Sequence, residues 1–219
     1  MVRISSITLE SECTDDERAL LRRVLTQNQL TGKHLEIGTA AGGTLKELIN
    51  AYPDPAKRPP FFVIDPLGYF ENQLEKIHTN LRSANIDPST VTFWEGTSED
   101  FVERERRAGT TFDFVFIDGN HSHYPVMVDL QWADMVNPGG FVCMHDHRMD
   151  KFPGVVWSAT HFLKKNPNYT VQEKVDSLIV LKKNAAGSGR GVTKGDLNGA
   201  MIAQHLNKLE RSLKKRFKF

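Results

Sequence analysis

Cysteine is nearly absent: Cys13 and Cys143 are the only two in 219 residues. Two thiols cannot build a disulfide framework or a cysteine zinc cluster. Long apolar runs are missing too, and nothing approaches the ~20 residues of a membrane-spanning helix. The opening stretch, MVRISSITLESECTDDERAL, has no apolar segment and carries early acids, unlike a secretory signal, so the expectation is a cytoplasmic protein. There is no excess of one charge: 28 Lys and Arg oppose 27 Asp and Glu. That removes the simplest electrostatic case for a general nucleic-acid binder. A charged fraction of 25% is ordinary for a folded domain and argues against wholesale disorder. The dinucleotide fingerprint G-x-G-x-x-G is absent, and so is any Tyr-x-x-x-Lys pair, which disfavours a nicotinamide-dependent oxidoreductase.

The small net charge hides a division. Residues 186–219 hold eight Lys and Arg against Asp196 and Glu210, a surplus of six, which leaves the remainder with a deficit of five. The boundary is Asn184-Ala-Ala-Gly-Ser-Gly-Arg-Gly191, a flexible-linker composition. Two units are therefore expected: 1–183, and 184–219 as linker plus basic amphipathic helix.

Along the first unit, short apolar strands alternate with helical patterns. A helix over Thr14–Gln27 carries Leu20, Leu21, Val24 and Leu25 on one face. Strands are expected at 34–38, 61–65, 91–94, 112–118 and 141–144, with helices at 44–51, 70–84, 98–108, 124–136 and 155–165. Pro138-Gly-Gly reads as a tight turn, and 169–174 with 177–181 as a closing strand pair. This is the signature of βαβ units and an α/β, Rossmann-like, doubly wound and mainly parallel sheet with a closing antiparallel strand. Right-handed crossovers put the strand carboxyl ends on one edge, where such sheets bind ligands.

Every strand meets that edge with chemistry: Glu36-Ile-Gly38, Asp65-Pro66, Glu95-Gly-Thr-Ser98, Asp118-Gly-Asn-His121 and His145-Asp-His147. Capping and turn formation explain each alone but explain all five poorly. Gly38, Gly42 and Gly43 let a backbone approach a ligand at a helix start. Asp65 stands where a carboxylate grips a ribose diol. Four of the eight histidines, His121, His123, His145 and His147, fall in this short span.

Leu35-Glu-Ile-Gly-Thr-Ala-Ala-Gly-Gly43 resembles the first motif of class I S-adenosylmethionine-dependent methyltransferases. Phe62-Val-Ile-Asp65 resembles their second, and Glu95-Gly-Thr-Ser98 their adenine-contacting turn. Phe112-Asp-Phe-Val-Phe-Ile-Asp-Gly-Asn-His121, with Val136-Asn-Pro-Gly-Gly-Phe-Val-Cys-Met-His-Asp146, is similar to the branch of macrolide-sugar O-methyltransferases, cephalosporin-hydroxylase-like proteins and, more distantly, catechol-type O-methyltransferases. The resemblance spans about 33–182 and leaves out the tail.

It implies roles. Glu36, Gly38, Thr39, Gly42 and Gly43 line the methionine part of S-adenosylmethionine, Asp65 takes the ribose hydroxyls, Thr97 and Ser98 lie near the adenine, and Asp118 near the sulfonium. It also implies a divalent metal, Mg or Mn, on Asp118, Asp146 and His147. The third of these departs from the usual Asn, Asp or Glu and suits a softer ion better. His121, three residues after Asp118, is the candidate general base for O-methylation of a small molecule or sugar, helped by an ordinary pKa near neutrality. Nucleic-acid N-methylation is disfavoured because no Asn/Asp-Pro-Pro-Tyr/Phe occurs; RNA ribose methylation and a non-catalytic cofactor-binding protein are the other readings. Leu197, Met201, Ile202, His205, Leu206, Leu209 and Leu213 give the tail helix an apolar side, expected to dock on its own domain or to make a homo-oligomer.

Overall fold

The computed structural model describes residues 10–184 and 189–217. Part of the linker, 185–188, and the chain's last two residues, including the expected aromatic Phe219, lie outside the described residues. The elements run α1 (Asp15–Gln27), β1 (His34–Ile37), α2 (Gly43–Asn50), β2 (Phe61–Asp65), α3 (Gln73–Ser83), β3 (Val91–Glu95) and α4 (Ser98–Arg107). Then follow β4 (Phe112–Ile117), α5 (His123–Asp129), β5 (Val136–Met144), α6 (Pro153–Lys165), β6 (Tyr169–Val175), β7 (Leu178–Lys183) and α7 (Lys194–Phe217). No helix among the described residues is long and apolar enough to cross a membrane.

The sheet has the order β3-β2-β1-β4-β5-β7-β6. Strands β1 to β5 pair in parallel, and β7 runs antiparallel to both β5 and β6. This is the doubly wound sheet with its antiparallel closure that the alternating pattern predicts. Period-two alternation splits the core. Leu35, Ile37, Val115, Ile117, Val142 and Met144 pack with α5 and α6, while Phe61, Val63, Phe114, Phe116 and Cys143 pack with α1, α2 and α3. Side chains of β1 are therefore buried on both faces, as a central parallel strand requires.

Three local differences from the sequence reading have identifiable causes. The helix expected at 124–136 is α-helical only over α5 and tightens to a 3-10 helix at Leu130–Met135, before β5 begins. Strand β5 takes in Pro138-Gly-Gly, where the expected turn becomes a bulge: Gly139 adopts φ +85°, and the register on β4 jumps from Phe112–Val136 to Phe114–Phe141. Asn137 donates to the Asp113 carboxylate, which also accepts from the Thr31 and Gly32 amides and ties this end of the sheet together. Helix α3 starts at Gln73 instead of Phe70, because Gln73 is buried and holds the Tyr69 amide, the Ala40 carbonyl and Asp65.

The tail helix docks, but of its expected apolar side Leu197 takes part while Met201, Ile202, Leu206, Leu209 and Leu213 stay exposed. Leu197, Ala200, Gln204 and Asn207, at helical spacing, face the domain: Ala200 is fully buried, Leu197 packs on the core, and Gln204 accepts from the Tyr124 amide. The stripe Ile202, Leu206, Leu209 and Leu213 faces solvent. The near end is fixed by a reciprocal cap between Thr193 and Asp196; Asp196 also receives His161 of α6 and Arg190, each at 2.7 Å. Burial alone would raise the Asp196 pKa, but these donors pull it down to about 2. The group thus adds stability above its unfolded value near 3.8, and that stability is lost as pH falls toward 2. Asp196→Asn should therefore cost about 2 kcal/mol at pH 7 and almost nothing at pH 2, measured by urea unfolding of both proteins.

Candidate active site

Strands β1 and β4 are neighbours whose following connections leave in opposite directions, which opens a crevice at their carboxyl ends. A cavity of about 900 Å³ occupies it, walled by the ends of β1, β2, β3 and β4, the loop after β5, and α7.

On the β1 side, Gly38 adopts φ +81°, and a Cβ there would sit 2.5 Å from the Asp118 carbonyl oxygen, so the position admits only glycine. Gly43 lies under the Glu10 backbone, so the segment before α1 covers this turn. Gly42 does not line the cavity; it caps α2 in a left-handed conformation against Ile77 of α3. Glu36 is buried. Its Oε2 accepts from the Thr39 hydroxyl at 2.9 Å, while its Oε1 has no hydrogen-bond partner. Burial pushes its pKa well above the usual carboxylate range, and the nearby Asp118 and Asp65 charges add to this. Asp65 accepts from the Thr39 and Leu67 amides and from Gln73. A carboxylate offers about four acceptor positions, so one remains for a ligand.

On the β3 side, Thr97 caps α4 through Asp100, and the buried Ser98 hydroxyl donates to Asp129. Both line the cavity. Asp129 also lines it and is fully enclosed; burial raises its pKa to about 7. Sequence reasoning missed Asp129. Its signal was an acid inside the apolar run Val126-Met-Val-Asp-Leu130, where a helix face enters the core.

The β4 and β5 ends carry the charged cluster. His145 Nδ1 lies 3.2 Å from Asp118 Oδ1, and Nε2 lies 3.1 Å from Glu17 Oε2 of α1. Burial opposes a charge on this ring, yet the Asp118 carboxylate raises its pKa, and with a carboxylate facing each nitrogen, Asp118 at Nδ1 and Glu17 at Nε2, both carry protons and the ring is an imidazolium. Glu17 is fully buried and also accepts the Ser177 amide and hydroxyl at the turn between β6 and β7. Its helical stripe disguised it as a routine first-turn acid.

Asp146 adopts φ +56°, a conformation uncommon outside glycine. Strict strand alternation would turn Asp146 away from His145. Because β5 ends at Met144 and the chain takes a left-handed step, Asp146 comes back toward Asp118 and His145 instead. The same step carries His147 off: its amide donates to the Ser177 carbonyl, and it does not line the cavity. The expected trio of Asp118, Asp146 and His147 is thus not brought together; Asp118, Asp146 and His145 are, with ligand atoms within 4.8 Å of one another.

His121 Nε2 stands 2.9 Å from Asp146 Oδ2, although its N–H is not aligned as a hydrogen bond. Asp146 raises the His121 pKa against the opposing effect of burial. Phe152 lies against the ring, centroid to centroid 4.3 Å, and Gly154 permits close approach of α6 to the His121 carbonyl. His123 is buried and packs edge-on against Trp157. Gln204, Asn207, Lys208 and Arg211 of α7 complete the wall. The sequence suggested that the tail docks; it carried no sign that the tail lines the cavity.

The sheet order, the left-handed glycine after β1 and the acids after β1, β2 and β4 define a class I methyltransferase fold. The chain belongs to the methyltransferase domain family, whose model matches residues 35–147. Among curated proteins no sequence matches it. Solved structures share the fold. The O-methyltransferase TomG from Streptomyces achromogenes, in complex with SAM, is 20% identical with a TM-score of 0.60, over 78% of this chain and 81% of that one. An O-methyltransferase from Bacillus cereus, in complex with SAH, is 16% identical at 0.60, over 78% and 83%. CalS11, a TDP-rhamnose 3'-O-methyltransferase of calicheamicin biosynthesis, is 16% identical at 0.55, over 77% and 81%.

Glu17→Gln leaves the His145 charge buried beside one carboxylate fewer and removes the negative acceptor of Ser177. It should cost about 3 kcal/mol in urea unfolding, well above the loss from an exposed control on α1 such as Asp16→Asn.

Proposed function

We propose that this protein transfers a methyl group from S-adenosylmethionine to a hydroxyl oxygen of a small molecule or sugar. One observation carries the reading: a buried carboxylate, Glu36, with an unpartnered oxygen in the cavity wall beside a glycine whose backbone must approach closely. A ligand ammonium group satisfies that oxygen, and a ribose hydroxyl suits the acceptor position left on Asp65. Thr39, Gly38 and Gly43 would hold the methionine part, with Gly42 shaping the turn, and Thr97, Ser98 and Asp129 would hold the adenine end.

When bound, this donor supplies a methyl group on a positively charged sulfur that departs as a neutral thioether. The chain's residues supply placement and charge. Asp146 beside Nε2 of His121 favours the proton there and leaves Nδ1 to take the acceptor's hydroxyl proton. The resulting imidazolium is stabilised by Asp146, in the way a carboxylate orients a catalytic histidine elsewhere. Asp118, held in place by His145, keeps negative potential beside the reacting centre. Phe152 and α7 exclude water from it.

For a divalent cation such as Mg or Mn, Asp118 and Asp146 are suitable donors. His145 fits less well, since both its nitrogens face carboxylates, and His147 stands apart. The cation would lower the pKa of the acceptor hydroxyl. TomG and CalS11 act in the making of small molecules, one on a nucleotide sugar, and this supports an acceptor of that size. Two buried, unpaired cysteines accord with a reducing, cytoplasmic setting.

Calorimetry with S-adenosylmethionine and S-adenosylhomocysteine tests the core of the reading. Both should bind at micromolar Kd, and Glu36→Gln should weaken binding at least tenfold. Absence of binding sinks it. His121→Ala should then lower turnover of an acceptor found by screening at least a hundredfold while cofactor affinity stays within twofold. Treatment with EDTA should reduce turnover, with recovery on adding Mg or Mn; turnover unchanged by EDTA removes the metal from the proposal.

The exposed stripe of α7 repeats at four, three and four residues, Ile202, Leu206, Leu209 and Leu213, the spacing of a two-helix seam. We infer that it pairs with the same stripe of a second copy. Light scattering should give twice the chain mass, falling to one for Leu206→Glu/Leu209→Glu; a monomeric parent overturns the pairing.

A further inference from the structure

The cavity is charged in an uneven way. Its acids come from β1 and β2, from the end of β4, from α5, from the residue pair after β5 and from the segment before α1, and several are already engaged: Glu10 with Lys46, Asp118 with His145, Asp146 with His121, Asp129 with Ser98. Its rim carries three cations from two elements. Lys151 lies in the loop after β5, next to Phe152, and Lys208 and Arg211 lie on α7. Among the described residues, none of the three side chains has a carboxylate within 4.0 Å or makes a hydrogen bond, although Lys151 acts at longer range on Asp146 and Asp150, and Arg211 on Glu210. Lys214, one turn further along α7, is by contrast paired with Glu210 at 2.6 Å.

The placement is not accidental to the helix. Gln204, Lys208 and Arg211 recur at four and three residues, so they share one face, and Gln204 fixes that face on α5 through the Tyr124 amide. Arg211 stands near enough to His123 for its charge, added to the effect of burial, to lower the His123 pKa. Arg211 and Lys151 therefore lie toward the β4 and β5 ends, the half of the crevice that holds His121, and Lys208 shares the rim one turn before Arg211. Cations at the mouth of a low-dielectric cavity attract an anion more strongly than the same groups spread over a surface.

We propose that the acceptor bears, besides its reacting hydroxyl, an anionic phosphate or carboxylate group that Lys151, Lys208 and Arg211 receive at the rim. The proposal deepens the methyltransferase reading and rests on it. A crevice of about 900 Å³ suits a small molecule better than a nucleic-acid strand. The tail helix then contributes to substrate choice: its inner face binds the acceptor's charge while its outer stripe serves the pairing with a second copy.

The test uses the full-length protein saturated with S-adenosylhomocysteine, so that the cofactor's own carboxylate is already in place. Inorganic pyrophosphate and malonate are titrated into it by calorimetry, as the phosphate and carboxylate arms. At least one should bind at submillimolar Kd and weaken with rising salt. Lys208→Ala/Arg211→Ala should weaken that anion at least tenfold, and Lys151→Ala at least threefold, with S-adenosylhomocysteine affinity within twofold of the parent. Lys208→Arg should keep most of the binding, which separates charge from fold. Binding of neither anion overturns the proposal, and so does equal binding by the double variant. A matching loss of S-adenosylhomocysteine affinity also overturns it, by assigning the cations to the cofactor. Failure of the parent to bind S-adenosylhomocysteine at all overturns the methyltransferase reading itself, and with it the proposal.

Discussion

One buried imidazolium organises this molecule. His145 stands between Asp118 at the end of β4 and Glu17 in the first turn of α1, and Glu17 in turn holds the turn between β6 and β7 through Ser177. Four segments far apart in sequence meet at a single positive charge. Removing one partner from such a buried set leaves an uncompensated charge, which costs about 3–5 kcal/mol. The cluster therefore fixes where α1 closes the sheet and where Asp118 points. The acid that faces the reacting centre is held by the same contact that holds the fold.

Backbone constraints supply the second layer. Gly38 brings β1 and β4 to within contact distance, which sets the depth of the crevice. Asp146 departs from strand geometry by one left-handed residue and so rejoins the cluster. Strain of this kind costs of order 1–3 kcal/mol and survives only where surroundings over-determine it. Here the neighbouring rings of His121 and His145 do so, each within 3.9 Å of the Asp146 carboxylate.

Much of this was legible in the order of residues. Strand ends rich in acids and glycines announced the sheet edge, and Glu36, Gly38, Asp65, Asp118 and His121 all face the cavity. What was not legible has a common cause. Glu17, Asp129 and His145 act through contacts more than 30 residues distant in the chain, and a helix-start acid or a lone histidine looks the same with or without such a partner. His147 and His145 have identical local chemistry; only a positive φ between them decides which one turns inward. The α7 stripe misled for a similar reason. Its apolar residues are the stronger signal, but the docking face is built of Ala200, Gln204 and Asn207, whose small or neutral side chains permit close helix packing without advertising it.

The arrangement of α7 separates two kinds of inheritance. Everything that receives the cofactor in this reading comes from the sheet and its first four connections. The opposite wall of the cavity comes from one face of one helix, pinned at its start by Asp196 and at its middle by Gln204. Beyond those pins, the exposed side chains of Lys208 and Arg211 can be exchanged without disturbing a core contact. A lineage built on this scaffold could then acquire new acceptors by rewriting a few positions near its C-terminus, leaving the chemistry of methyl transfer untouched.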